Sequence, residues 1–283
     1  MKGFLLSKKI IDFLLFSSFF SAFCAISMVL QTYYLFDKAS STNYIYFVFF
    51  GALCSYNFHW YLTPEIYGGS YKTHWSVKHK NLHLFLFFIG LFGAVFYGIQ
   101  LLVNWQWLLI TAFITFLYSA PRIPFPLFEH LKKIAVGKTI FLSLVWTHST
   151  VILPLVISHS EWQAANFIFI GNRFFLIYAI CILFDFRDRE EDKKEGVKSL
   201  ITYLPEYWVN RLFWISISIF SITTAGLAFL NFSVTNCLSL LIPGVIVGLL
   251  FNYSKQSPSD YLYYFVLDGL MMFSALFVFI MRF

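Results

Sequence analysis

Apolar runs about twenty residues long, separated by short polar stretches, dominate the chain; they lie near 10–36, 43–62, 82–103, 105–119, 136–158, 165–184, 208–231, 236–252 and 259–281. An α-helix rises about 1.5 Å per residue, so about 20 apolar residues are what a hydrocarbon core roughly 30 Å thick demands of a spanning helix. Strands of a membrane barrel would alternate apolar and polar residues with period two; here the runs are continuous. The pattern predicts one all-α unit over residues 1–283, a polytopic bundle of nine transmembrane helices. The first run follows Lys2, Lys8 and Lys9 as a signal peptide would. It continues without a clean small-residue cleavage site, so it counts as a span.

Composition agrees with the pattern. Of 283 residues, 59% are hydrophobic and 12% charged, against roughly 25% charged for a soluble domain. Cys24, Cys54, Cys181 and Cys237 lie in or beside apolar runs with no CxxC pair, and read as free packing residues. The net charge of +6 would suggest nucleic acid, but 17 of the 20 Lys and Arg fall at the N-terminus and in the even-numbered loops. Lys38 and Arg282 lie on the other side, and Arg173 lies inside a span. Such asymmetry is the positive-inside signal. It predicts a cytoplasmic N-terminus, an external C-terminus and no nucleic-acid partner; the membrane is read as a bacterial inner (cytoplasmic) membrane. The long loops 63–81, 120–135 and 185–207 are all on the cytoplasmic side, where chemistry is expected.

The sixth run ends in Phe184-Asp-Phe-Arg-Asp-Arg-Glu-Glu-Asp-Lys-Lys-Glu-Gly196. Asp185, Asp188 and Asp192 stand at i, i+3 and i+7, within about 60° of one another on a helix. Three converging carboxylates repel unless a cation neutralises them, and hard oxygen ligands open to water suit Mg²⁺ carried on a diphosphate. The bland alternative is a solvated helix end.

This DxxDxxxD stretch after the sixth of nine spans resembles the second aspartate motif of the UbiA superfamily of intramembrane prenyltransferases; the likeness runs over Asp185–Leu200. Tyr118-Ser-Ala-Pro-Arg122 is similar to that family's YxxxK element after the fourth span. The resemblance implies a UbiA-like bundle with a central cavity open to the cytoplasmic side. It implies transfer of a polyprenyl group from its diphosphate to a lipophilic acceptor (an aromatic, quinone or pigment precursor), with Mg²⁺ as cofactor. Asp185, Asp188 and Asp192 would be the catalytic, metal-holding acids. The family's first motif is roughly NDxxDxxxD at the end of the second span. The matching stretch here runs from Asn57 to Glu65: Asn57 is present, Phe58 and Tyr61 stand where acids belong, and Glu65 remains as a further metal ligand. Asn57, His59, Tyr118, Arg122, Lys132 and Lys133 are then candidates for the diphosphate, with His59, Lys72 or Arg122 replacing the missing second charge. Lys132, Lys133 and Lys138 read equally as orientation signals at the headgroups.

His79 and His83 form an HxxxH pair without an accompanying carboxylate or Cys. Arg173 and Asp268 are ionisable groups deep in their spans, at depths that agree to within about 3 Å on helical rise. Buried charges in a bilayer normally pair, so Arg173 and Asp268 are expected to point inward and lie within salt-bridge reach, directly or through one water. Two further readings stay open: a non-catalytic relative that binds a lipid diphosphate or serves as a membrane subunit, and a small-solute transporter.

Overall fold

The computed structural model describes residues 2–63, 70–120, 123, 128, 137–195, 200–257 and 259–280. Among these there is no strand, and helices occupy each predicted apolar segment. Helices α1 (Lys2–Phe16) and α2 (Phe19–Leu35) share the first, and α3 (Thr42–Leu62) fills the second. The short α4 (Tyr71–Lys78) leads into α5 (Lys80–Ile99), followed by α6 (Trp105–Ser119). Helix α7 begins as Gly137–Thr147, passes through a π-helical turn (His148–Ile152) and ends as Leu153–Ile157. Helix α8 (Ala164–Glu195) is followed by the single turn α9 (Leu200–Tyr203), α10 (Glu206–Phe229) and α11 (Val234–Gln256). A second π-helical turn (Leu262–Leu267) opens α12 (Asp268–Ile280).

By length and hydropathy, six of the described helices can cross a membrane on their own, and the α1–α2 pair adds a seventh if its bent halves form one span. The chain is an integral, multi-pass membrane protein. Helix α8 sits at the centre, with 61% of its apolar window buried, while α5 and α6 have only 17% and 11% buried and are the outermost.

The first segment is broken where a continuous span was expected. Ser18 adopts a left-handed φ of 70°, and the two halves meet at 61°. A break frees backbone carbonyls that hydrocarbon cannot solvate, and Asn57 answers one of them by donating from Nδ2 to the Ser17 carbonyl at 3.1 Å. Helix α7 solves the same problem twice. Pro154 has no N–H for the carbonyl four residues back, and Thr32 Oγ1 donates to that Thr150 carbonyl at 2.6 Å. Tyr44 donates to the neighbouring Ser149 carbonyl. On the outer side, α5 presses directly on α3. A Cβ at Gly90 would lie 2.4 Å from the Cys54 nitrogen, so only glycine allows the two backbones this approach.

Arg173 and Asp268 form no direct ion pair. Arg173 donates from Nη2 to Gln31 Oε1 at 2.7 Å and from Nη1 to the Met271 carbonyl at 3.5 Å, with its guanidinium over the Phe169 ring. Met271 lies three residues beyond Asp268, so the arginine meets α12 about one turn away from the acid. Depths counted on uniform α-helical rise could not include the π-helical turn that precedes Asp268. Gln31 also accepts from Ser274 Oγ at 3.1 Å, so a neutral amide joins α2, α8 and α12 without a second buried charge.

Candidate functional site

Helix α8 has 32 residues, about 48 Å at helical rise. That exceeds the hydrocarbon thickness, so its last turns leave the apolar layer still helical and carry the acidic run with them. Ile177, Cys181, Phe184, Asp188 and Glu191 follow one another at three- and four-residue spacing, and Asp185 stands four residues beyond Cys181; all six face one chamber. The chamber has an empty volume of about 900 Å³, counted out to its open mouth. Helix α3 contributes Tyr56, His59 and Trp60 to it, again at helical spacing, while Lys72 comes from α4 and Asp268 from α12.

Each charged group is held by a different element. Asp185 is 2% exposed and accepts a hydrogen bond from Thr139 Oγ1 at 2.6 Å. Asp188 pairs with Arg187 at 2.7 Å. Arg187 in turn donates to Tyr264 Oη at 2.7 Å, reaches Asp260 at 3.5 Å, and lies over the rings of Phe184, Tyr263 and Tyr264. The chamber-facing acids and their arginine are thus oriented before any ligand arrives.

Lys72 is the other cation. Ser70 caps α4, its side chain accepting from the Thr73 amide, and the Ser70 amide donates to Glu191 Oε1 at 2.7 Å. The Lys72 amide, in the first turn of α4, donates to Asp260 Oδ2 at 2.7 Å. An acid at a helix N-terminus satisfies a free N–H and opposes the dipole. Two carboxylates from distant parts of the chain therefore fix α4 as a cap over the chamber. They bury Lys72 to 2% exposure, with Nζ 3.6 Å from the Tyr264 ring centroid and 4.3 Å from that of Trp60. Among the described residues no carboxylate is within ion-pair distance of it. Burial pushes the ammonium down to about 7. Asp268, Asp260 and Asp188 pull in the opposite direction, while Arg187 adds to the lowering.

His59 stacks on Tyr118 at 4.9 Å, so α3 and α6 close the remaining side. Asp268 has one hydrogen-bond partner among the described residues, Ser21 Oγ at 3.4 Å. Among the described residues no three His, Cys, Asp or Glu side chains converge as a metal cage.

No family model matches the chain, and no curated protein does. Solved structures do match. A UbiA homolog from Archaeoglobus fulgidus bound to GPP and Mg²⁺ aligns with a TM-score of 0.67 at 15% identity, covering 95% of this chain and 98% of its own. A UbiA homolog from the same organism bound to Cd²⁺ aligns at 0.60 and 16% identity, covering 94% and 99%. The chain has the UbiA fold.

Within the UbiA fold the expected site residues separate into groups. Asp185, Asp188, His59 and Tyr118 do line one chamber. Asp192 is buried but is not among the lining side chains; Glu191 takes the third acidic position there. Asn57 is corrected. Its amide donates to the Ser17 and Leu53 carbonyls, and its Oδ1 lies 2.7 Å from His83 Nδ1. It is a structural tie across the broken first segment, fully buried away from the chamber. Phe58 lies on the side of α3 that packs against Phe87 of α5, with ring centroids 5.1 Å apart. Glu65, Arg122, Lys132 and Lys133 fall outside the described residues.

The sequence reading missed Arg187, Glu191 and Thr139, while Asp268, expected to face inward, does line the chamber. Glu191 was accessible in principle, since it continues the stripe 177, 181, 184, 188 at helical spacing. Thr139 carries no local signal, because its function depends on which helices are neighbours.

Proposed function

We propose that this chain binds a polyprenyl diphosphate with Mg²⁺ in the chamber and transfers the prenyl group to a lipophilic acceptor, as a divergent member of the UbiA superfamily. One observation carries the reading: acids and cations from distant elements converge at the end of an otherwise apolar bundle. Asp185, Asp188 and Glu191 face Lys72 and Arg187 above a floor of Ile177, Ile180 and Met271. A chamber built this way matches a ligand with a highly charged head and an apolar tail. The likeness in fold to a homolog bound to GPP, a prenyl diphosphate, and Mg²⁺ adds support.

The residues fit a metal that arrives on its ligand. Mg²⁺ is commonly bound through one or two carboxylates plus substrate phosphates rather than by an all-protein cage, and the lack of a three-ligand cluster among the described residues agrees with that mode. Asp185 and Asp188 would hold it, with Glu191 as the third acid facing the chamber; Glu65, the other expected ligand, lies outside the described residues. When bound, the metal would neutralise charge on the departing diphosphate. Lys72 and Arg187 supply fixed positive charge at the same place, at no cost in reorganisation. The faces of Trp60 and Tyr264 hold the Lys72 ammonium in place by cation–π contact.

A second reading, binding without transfer, is favoured by Phe58 and Tyr61 standing where first-motif acids belong. Purified protein incubated with GPP and Mg²⁺ separates the two. Mg²⁺-dependent binding with release of inorganic diphosphate on supplying aromatic acceptors supports transfer. Binding with no release supports the second reading, and no binding overturns both.

The chamber mouth is proposed to face the cytoplasm of a bacterial cell, with the N-terminus on the same side and the C-terminus outside. The distribution of loop bases supports this, as does the clustering of α4 and the acidic end of α8 at one end of the bundle. Reporter fusions after Lys80, Lys133 and Lys198 are expected to read cytoplasmic. A single external signal breaks the topology.

A further inference from the structure

Among the described residues, the chamber is lined by three carboxylates from α8 and by one, Asp268, from α12. The α8 acids have their tasks at the mouth: Asp188 holds Arg187, Glu191 holds the Ser70 amide, and Asp185 accepts from Thr139. Asp268 has none of these. It is 8% exposed, and its single hydrogen bond among the described residues comes from Ser21 Oγ at a long 3.4 Å. An ionised carboxylate has about four lone-pair sites to fill. Arg173, the cation expected beside it, is taken by Gln31 and the Met271 carbonyl. The polar and charged groups around Asp268 are Ser21 and Cys24 of α2, Tyr56 of α3, Lys72 of α4 and Arg187 of α8. Neither cation comes within ion-pair distance of it. An ionisable side chain inside a membrane bundle usually marks a substrate or proton path.

Its depth is informative. Along the segment that ends in α12, Asp260 and Tyr264 both contact Arg187 at the charged end of the chamber. Asp268 stands four residues further in, about one turn deeper, and Met271 follows at the floor. A diphosphate held by Lys72 and Arg187 places its first prenyl carbon just beneath those cations. Asp268 faces the layer where that carbon meets an acceptor, below the groups that hold the leaving group.

We propose that Asp268 is the catalytic base of the transfer, accepting a hydrogen bond from an uncharged, hydroxyl-bearing acceptor and then taking its proton. The proposal rests on the transfer reading above. In the step, the donor's C1–O bond breaks and diphosphate leaves with the electron pair. The acceptor's O–H proton passes to Asp268, and the electron pair freed on the acceptor forms the new bond to C1. Where a ring carbon conjugated with that oxygen attacks, its own proton then moves to the oxygen, so one proton is released either way. The same carboxylate repels an acceptor that carries an acid of its own, which makes Asp268 a determinant of acceptor class as well.

Diphosphate release from GPP and Mg²⁺ by the purified full-length protein, with naphthols of graded acidity as acceptors, tests this. Asp268→Asn is expected to lower kcat with 1-naphthol at least about 100-fold, within the range general-base catalysis contributes, while Mg²⁺-dependent GPP binding persists and shows the variant to be folded. With nitro-substituted naphthols already ionised at the assay pH no base is needed, and the loss is expected to shrink to less than about tenfold. Asp268→Glu, which keeps the carboxylate, is expected to lose less and to keep the wild-type dependence on acidity. In the wild type alone, 1-methoxynaphthalene is expected to compete with 1-naphthol at least about tenfold more weakly than 1-naphthol binds, since a hydrogen bond to a charged group is lost. A loss in Asp268→Asn that is equal for all naphthols shows a structural role and overturns the proposal. Unchanged turnover in that variant, or equal competition by the methyl ether, overturns it too. A wild type that binds GPP yet releases no diphosphate with any of these acceptors overturns the transfer reading, and the base with it.

Discussion

The double variant Asp185→Ala/Asp188→Ala is expected to lose Mg²⁺-dependent GPP binding by at least about 100-fold, or about 2.8 kcal/mol at 1.4 kcal/mol per decade. Both acids face the polar chamber from one stripe of α8, and their present partners, Thr139 Oγ1 and Arg187, orient oxygens that a ligand-borne metal can use. Removing them takes away the protein's share of the coordination and also leaves Arg187 without its closest carboxylate. The expected loss is therefore in metal-dependent affinity, so Asp185→Asn/Asp188→Asn, which keeps shape and hydrogen-bonding capacity, should fail similarly. GPP binding titrated against Mg²⁺ in the presence and absence of chelator is the check. Unaltered Mg²⁺ dependence in the double variant would sink the assignment of these aspartates.

Lys72→Met is expected to weaken GPP binding about 10- to 100-fold while leaving the helical fold intact. The ammonium is enclosed by aromatic rings and faces the chamber across from Asp185 and Asp188. It stands free to meet a phosphate oxygen, and truncating one partner of a buried charged contact is costly. The same residue gives the pH dependence. Burial holds the unliganded lysine at about 7, and a bound diphosphate favours its charged form. Below 7 the ammonium is already present; above 7 a proton must be taken up on binding, so this group weakens affinity by up to about tenfold per pH unit. In Lys72→Arg, whose guanidinium stays charged, that decline above pH 7 should flatten. Equal slopes for the wild type and Lys72→Arg, both measured at saturating Mg²⁺, would remove Lys72 from the contact.

Phe58 serves packing on the outer side of α3. An acid there would lie on the side of α3 that packs against Phe87 of α5 and lines an apolar chamber. An unpaired carboxylate at membrane depth is expensive, and phenylalanine at that position supplies apolar packing instead. The positive charge of Lys72, set by α4 over the opposite face, enters the polar chamber from a segment that no aspartate-motif spacing would single out.

What the sequence determined by itself is what periodicity and composition control. Each apolar run is long enough to form a helix from its own backbone hydrogen bonds, and the i, i+3 spacing of Asp185 and Asp188 puts both on one face whatever surrounds them. Those properties are local, and the structure retains them. The tertiary structure decided everything that depends on which helices become neighbours. Ser17 and Ser18 break the first segment because Asn57 of α3 is present to take the freed carbonyl. Arg173 finds Gln31 rather than Asp268 because the π-helical turn before α12 changes its register against α8. Glu191 rather than Asp192 faces the chamber, its carboxylate held by the Ser70 amide of a loop more than a hundred residues away. Charge and hydrogen-bonding groups in a membrane bundle choose partners by depth and rotation to within a fraction of a turn. Helical periodicity fixes each helix's face only relative to itself, and packing alone fixes it relative to the others.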